Sequence, residues 1–136
     1  MANIQSHVGV YSKALDLRLQ RHQVLASNIA NADTPHYKAR DFDFSNAMAN
    51  AMAGRREAGG LRLETTSPMH ISGGSGSSFA QLQYRTETQS SVDGNTVDMD
   101  VERTHIAENA IQYQILTQLI SDKFRGLRSA MAGTQG

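Results

Sequence analysis

The chain has no cysteine, which excludes disulfide frameworks and thiolate metal sites and leaves its redox compartment open. It has no tryptophan, and aromatic residues make up only 6% of its 136 positions. With a negative mean hydropathy, that is thin material for a compact core. An excess of charge is missing too: 13 Lys and Arg balance 13 Asp and Glu. Such neutrality excludes the electrostatic footprint of a nucleic-acid or anionic-membrane binder. The charged fraction of 19% is also too low for a solvated, disordered chain. No apolar run approaches the length of a membrane span. The opening Met1-Ala2-Asn3-Ile4-Gln5-Ser6-His7 lacks the basic start and apolar stretch of a cleavable signal. A chain with this balance completes its core with neighbours.

What is present falls into three zones, 1–34, 35–97 and 98–136. In the first, Ile4, Val8, Tyr11, Leu15, His22, Leu25, Ile29 and Ala32 step by fours and threes, with Arg18 at the break. That is a helical heptad seam rather than a strand alternation. Val10, Ala14, Leu17 and Val24 widen the stripe, and Pro35 stops the helix near Thr34. The third zone repeats the pattern through Ile106, Ala110, Tyr113, Thr117, Ile120, Phe124, Leu127 and Met131. A second face carries Ile111, Ile115, Leu116 and Leu119, more apolar surface than one partner helix covers. Asp98, Asp100 and Glu102 stand at its start and Lys123, Arg125 and Arg128 near its end, as the helix dipole favours, with Gly133 as the stop.

The middle zone is looser. Phe42 and Phe44 alternate with Asp41 and Asp43 as a short extended piece, and Ala47–Ala53 suits a helical turn or two. Gly54–Ser78 holds six of the eleven glycines and reads as a flexible loop. Leu82, Tyr84 and the polar stretch to Ser91 suggest weak strands closing on an Asp93-Gly94 turn.

Patterns that carry chemistry fail on inspection. His105 and Glu108 have the i, i+3 spacing of bundle metal sites, but no matching pair stands on the first helix beyond His22. The acidic run from Asp93 places Asp98 where a calcium loop needs glycine and Thr104 where it needs glutamate. Gly73–Ser78 lacks the Lys-Ser/Thr of a phosphate loop. No nucleophile elbow marks any serine. No cofactor, metal or catalytic residue is expected.

One segment is richer. In Leu25–Lys38 the small Ala26, Ser27, Ala30 and Ala32 admit close backbone approach, and Asn28 and Asn31 offer amides where a helix ends. Thr34-Pro35 forces a turn, and Tyr37 adds an apolar body with a polar tip. This stretch is similar to the N-terminal signature of the bacterial flagellar axial proteins, the rod, hook and hook-associated subunits. That signature is Ser/Asn-Asn-Ile-Ala-Asn, two variable residues, then Thr-Pro-Gly-Tyr. Here it is Ser27-Asn28-Ile29-Ala30-Asn31, Ala32-Asp33, Thr34-Pro35-His36-Tyr37. His36 replaces a glycine, and histidine enters the left-handed region more readily than branched residues do. Lys38–Phe44, Asn95–Glu102, Ile106–Ala110 and Gln112-Tyr113 resemble the proximal rod members, while 54–91 is largely unmatched.

The resemblance implies a mainly α fold whose two long terminal helices pair as an antiparallel coiled coil around a small irregular, β-containing middle. It implies a non-enzymatic subunit of the proximal rod, polymerising into a hollow shaft that transmits torque and serves as an export channel. The implied partners are other copies, the rod proteins FlgC, FlgF and FlgG, the adaptor FliE, the type III export gate and the membrane ring. The implied location is the basal body, where the rod spans the periplasm, reached without a cleaved signal. The residues expected at subunit interfaces are Tyr11, Leu15, His22, Leu25, Ser27, Asn28, Ile29, Asn31, Thr34, Pro35 and Tyr37, with Ile106, Tyr113, Ile115, Leu119, Ile120, Phe124 and Leu127 from the tail. The rival readings are the related rod subunit FlgC and a soluble helical adaptor or export chaperone for axial proteins.

Overall fold

The computed structural model describes residues 4–54, 80–86 and 92–133. Helix α1 spans Ile4–Ala30, strand β1 Arg40–Asp41, α2 Phe44–Met52, β2 Gln83–Tyr84 and α3 Met99–Ala132. The glycine-rich loop expected over Gly54–Ser78 and the stretch up to Ser91 fall largely outside the described residues.

The two terminal helices hold 27 and 34 residues, about 40 and 50 Å of rod at 1.5 Å per residue. Asp98 caps α3, its carboxylate accepting from the backbone N–H of Asp100 at 3.0 Å and of Val101 at 3.3 Å. Asp100 and Glu102 then add negative charge to the first turn, where the dipole is positive. At the other end α3 runs to Ala132, leaving Lys123, Arg125 and Arg128 short of the last turn, and Gly133 closes it from a right-handed conformation.

Helix α1 ends earlier than Pro35 alone requires. The Asn31 N–H is shared between the Ser27 and Asn28 carbonyls at 3.2 Å each, and the Asn31 side chain donates to Ser27 O at 2.8 Å. The Ser27 carbonyl thus accepts twice from Asn31 where the helix ends, and tight turns continue through Ala32, Thr34 and Tyr37. His36 stands at φ 62 and Gly94 at φ 74. They sit back to back, and the His36 N–H donates to Asp93 O at 3.0 Å. A Cβ on Gly94 would lie 2.9 Å from His36 Nδ1, so only glycine fits there without displacement.

The Ala/Met run forms α2, capped by Asp43, which accepts from Ser45 N at 2.8 Å and Asn46 N at 3.2 Å. The extended piece lies slightly earlier than expected, at Arg40–Asp41. One weak strand lies where Leu82 and Tyr84 suggested it, and its partner is distant in sequence: β1 and β2 pair antiparallel, Arg40 opposite Tyr84 and Asp41 opposite Gln83. The Asp93-Gly94 turn packs on His36, and Thr96 binds residues 37–39 through Tyr37 O at 3.1 Å and Ala39 N at 2.9 Å.

Leu17, Phe42, Ala47, Ala51 and Ala80 form the core, with Phe44 and Met48 against it. The Arg18 guanidinium lies 3.6 Å above the Phe44 ring, a cation–π contact. Among the described residues, the buried apolar ones larger than alanine are Leu17, Leu25 and Phe42. So little buried carbon contributes little stability by itself. On α1 the buried line is Ala14, Leu17, Leu25 and Asn28, while Tyr11, Leu15 and Ile29 are half-buried and His22 is exposed. The line shifts toward Ala14 and Leu17 because α2 packs on α1 as well as α3 does.

Polar side chains join the two long helices. Asn109 donates to Arg18 O at 2.9 Å, and Asn28 donates to Glu102 at 3.2 Å. The contacts climb α1 as they descend α3, so the helices run in opposite directions where they touch.

Candidate assembly site

The buried amide of Asn28 works as a strand substitute. Its Nδ2 donates to Arg40 O at 2.7 Å while its Oδ1 accepts from Arg40 N at 3.0 Å, completing the open edge of β1. The same amide donates to Glu102 Oε2 and accepts from the Tyr37 hydroxyl at 3.3 Å. All four of its hydrogen-bonding positions are therefore used. Asn95 does the same for the turn: its Nδ2 lies 3.0 Å from Asn31 O and 2.8 Å from both Ala32 O and Thr34 O, and its Oδ1 accepts from Val97 N at 2.8 Å. The corner after α1 is thus held from one side by Asn28 and from the other by Asn95.

An ionic chain continues from Asn28. Glu102, fully buried, is paired with Arg85. Arg85 also reaches Asp41 at 3.1 Å, and Asp41 holds Arg21 through a two-pronged contact, 3.1 Å on each prong. Two positive and two negative groups thereby link α1, β1, the β2 segment and α3. Burial would push the Asp41 carboxyl up, but hydrogen bonds from Arg21 and the Phe42 backbone N–H and the charges of Arg21 and Arg85 outweigh it. Asp41 is held below the ordinary carboxylate range. Arg18 is lowered from its usual value by burial first and then by the nearby Arg21 charge, with Glu108 opposing.

The expected interface residues divide. Leu25 and Asn28 are buried within the chain, and Tyr11, Leu15, Ile29, Asn31, Tyr37, Ile106, Ile120 and Leu127 are half-buried. His22, Ser27, Thr34 and Pro35 are exposed. On α3, Ile111, Ile115, Leu119 and Phe124 are 59%, 53%, 40% and 54% exposed, and Tyr113 is 39% exposed. Ile111, Ile115 and Leu119 follow one another at i, i+4 and i+8, forming a ridge turned away from the Glu102–Asn109 line.

A groove of about 360 Å³ opens between α1 and the paired β1 and β2 segments, lined by Val24, Phe42, Ala80 and Leu82 with Gln20, Gln23, Ser27, Asn28, Tyr37 and Arg40. His105 Nδ1 and Glu108 Oε2 are 3.7 Å apart across one turn, and no group of three metal-ligating side chains forms among the described residues.

Sequence patterns had not marked Arg21, Asp41, Arg85, Asn95 or Asn109 as structural keys. Their signal is spacing: Arg21 to Asn28 and Glu102 to Asn109 are polar pairs seven residues apart, so each pair returns to one face of its helix. Asp41 and Arg85 have no such signal, because β1 and β2 meet across a long separation in sequence.

Comparison of the sequence with known proteins finds rod proteins. The family described as "flagella basal body rod protein" matches residues 10–38, most of α1 and the corner after it. The chain is 47% identical over 123 residues to flagellar basal body rod protein FlgB of Salmonella typhimurium strain LT2, covering 89% of each. It is 46% identical over 121 residues to the FlgB of Escherichia coli K12, covering 88% of each. Against the FlgB of Cereibacter sphaeroides ATCC 17029 it is 41% identical over 133 residues, 98% of this chain and 99% of the relative.

Proposed function

The chain belongs to the FlgB family of flagellar basal body rod proteins, and from that premise we propose that it polymerises by packing its terminal helices against those of neighbouring subunits. It is a structural subunit of the basal body rod. The polymerisation reading rests on the outward apolar content of α3, where Ile111, Ile115, Leu119 and Phe124 are each at least 40% exposed. Leaving such surface in water forgoes about 25 cal/mol per Å² that a neighbour's helix would recover. The α1–α3 pair is read as the antiparallel coiled-coil unit of that packing, and the hollow shaft it builds as both torque shaft and export channel. Proximal position, the periplasmic span, export by the flagellar type III apparatus and contact with FlgC, FlgF, FlgG, FliE, the export gate and the membrane ring complete the reading. Those finer parts rest on the likeness of the corner and tail to proximal rod members. A free adaptor is disfavoured, because the relatives named above are rod proteins along nearly their whole length.

The test is Ile115→Asp. Since Ile115 is 53% exposed, a carboxylate there leaves the subunit's own core intact. The expected result is normal expression with loss of swimming and absence of rods in basal-body preparations. Full swimming would refute polymerisation through this helix.

A further inference from the structure

Two apolar features remain on different parts of the same chain, one convex and one concave. The convex one is the ridge Ile111–Ile115–Leu119, two turns long and bracketed by the exposed acids Glu108 and Asp122. The concave one is the groove between α1 and β2, where Val24, Phe42 and Leu82 form the apolar wall and the exposed Arg40 stands on the rim. A ridge that packed only on another ridge would give a closed two-fold pair and bring like acids together. A ridge in a groove is a heterologous contact: each copy offers its ridge to one neighbour and its groove to another, so growth does not close after two. The charges agree with that pairing: Glu108 and Asp122, each 3.7 Å from an exposed or half-buried partner on its own helix (His105 and Arg125), flank the ridge and can be shared with the arginine at the groove. The groove's volume, about 360 Å³, is at the size that accepts a few branched side chains.

We infer that the Ile111–Ile115–Leu119 ridge of one copy seats in the Val24–Phe42–Leu82 groove of the next, with Arg40 facing Glu108 or Asp122. This deepens the polymerisation reading above and rests on it. The contact area is small, so it holds only as one of several contacts in an assembled layer.

Because the chain has no cysteine, cross-linking gives a clean test. Leu119→Cys and Leu82→Cys are made singly, carry different tags and are expressed together in cells lacking the native chain. After oxidation, a dimer bearing both tags is expected in roughly tenfold excess over either single-tag dimer, since a fixed contact raises the local thiol concentration. Ile115→Cys with Val24→Cys forms a second pair for the case in which either first substitution blocks assembly. Absence of the two-tag dimer for both pairs in swimming cells overturns the seating while the polymerisation reading stands. Predominance of Leu119→Cys single-tag dimers overturns it in favour of ridge-on-ridge pairing. Ile115→Asp cells that still swim would instead remove the underlying reading.

Discussion

Asn28→Asp is the most informative single change in this molecule, because it keeps shape and reverses chemistry. The wild-type amide donates to Arg40 O at 2.7 Å and to Glu102 Oε2 at 3.2 Å from a fully buried position. A carboxylate donates neither bond, leaving two buried acceptors unmet, at about 1–3 kcal/mol each. It also faces Glu102, so like charges meet where water is excluded. The two unmet bonds alone cost about 2–6 kcal/mol near neutral pH, and the repulsion adds to that, against a total stability of about 5–15 kcal/mol for an ordinary domain. The repulsion raises the introduced group's folded pKa above its unfolded value, so protonation relieves it. The deficit is therefore greatest at neutral pH and shrinks as pH falls through the raised value. Urea unfolding followed by circular dichroism measures both effects. Pairing Asn28→Asp with Glu102→Gln restores a donor between the two positions, though not the Arg40 bond. The double variant is therefore expected to lose less than the two separate losses add to. A loss under about 1 kcal/mol, or one that does not change with pH, would refute the account of Asn28 as a fully engaged donor.

Two further outcomes follow from the same geometry. Gly94→Ala forces a side chain to φ 74 and sets its Cβ 2.9 Å from His36 Nδ1, so thermal melting is expected to show a loss of about 1–3 kcal/mol; an unchanged melting temperature would contradict the close approach. Asp41 has a folded pKa below its unfolded one. Its contribution is fully present above the unfolded value of about 4 and is lost as pH falls through the folded one. Urea midpoints of the native chain are thus expected to fall more steeply on the acid side than those of Asp41→Asn.

The terminal helices were legible because apolar residues at helical spacing survive in any context that buries one face, as at Leu25 on the heptad seam and Leu17 beside it. The α2 run was legible from Ala and Met alone, and its start is fixed by Asp43. The exposed ridge was legible as an excess of apolar residues over what one helix can cover. The pairing of β1 with β2 was not: each strand is two residues long, and no local turn joins Arg40 to Tyr84. The buried line on α1 was misplaced by a fraction of a turn, since periodicity marks a stripe but not which neighbours cover it. His36 shows the reverse case. The signature calls for glycine at that position, and the chain adopts φ 62 there with histidine, holding it through the Asp93 carbonyl.

Polar groups share the buried side of the helical pair with Leu17 and Leu25, while large apolar groups are left outside. Asn28, Glu102 and Asn109 are buried between the helices, whereas Ile111, Ile115 and Phe124 point outward. Buried ion pairs add little net stability, because desolvation offsets their attraction. They discriminate sharply, however, between right and wrong alignments. A slip of one turn would strand Glu102 away from both Asn28 and Arg85, leaving a buried charge unpaired at a cost of about 3–5 kcal/mol. An apolar seam of similar area would lose far less by the same slip, since one aliphatic contact replaces another. A subunit that must offer its ridge to the next copy at one fixed height needs its own helices held in one register first. Polar contacts inside and apolar contacts outside meet that requirement, and the reverse arrangement does not.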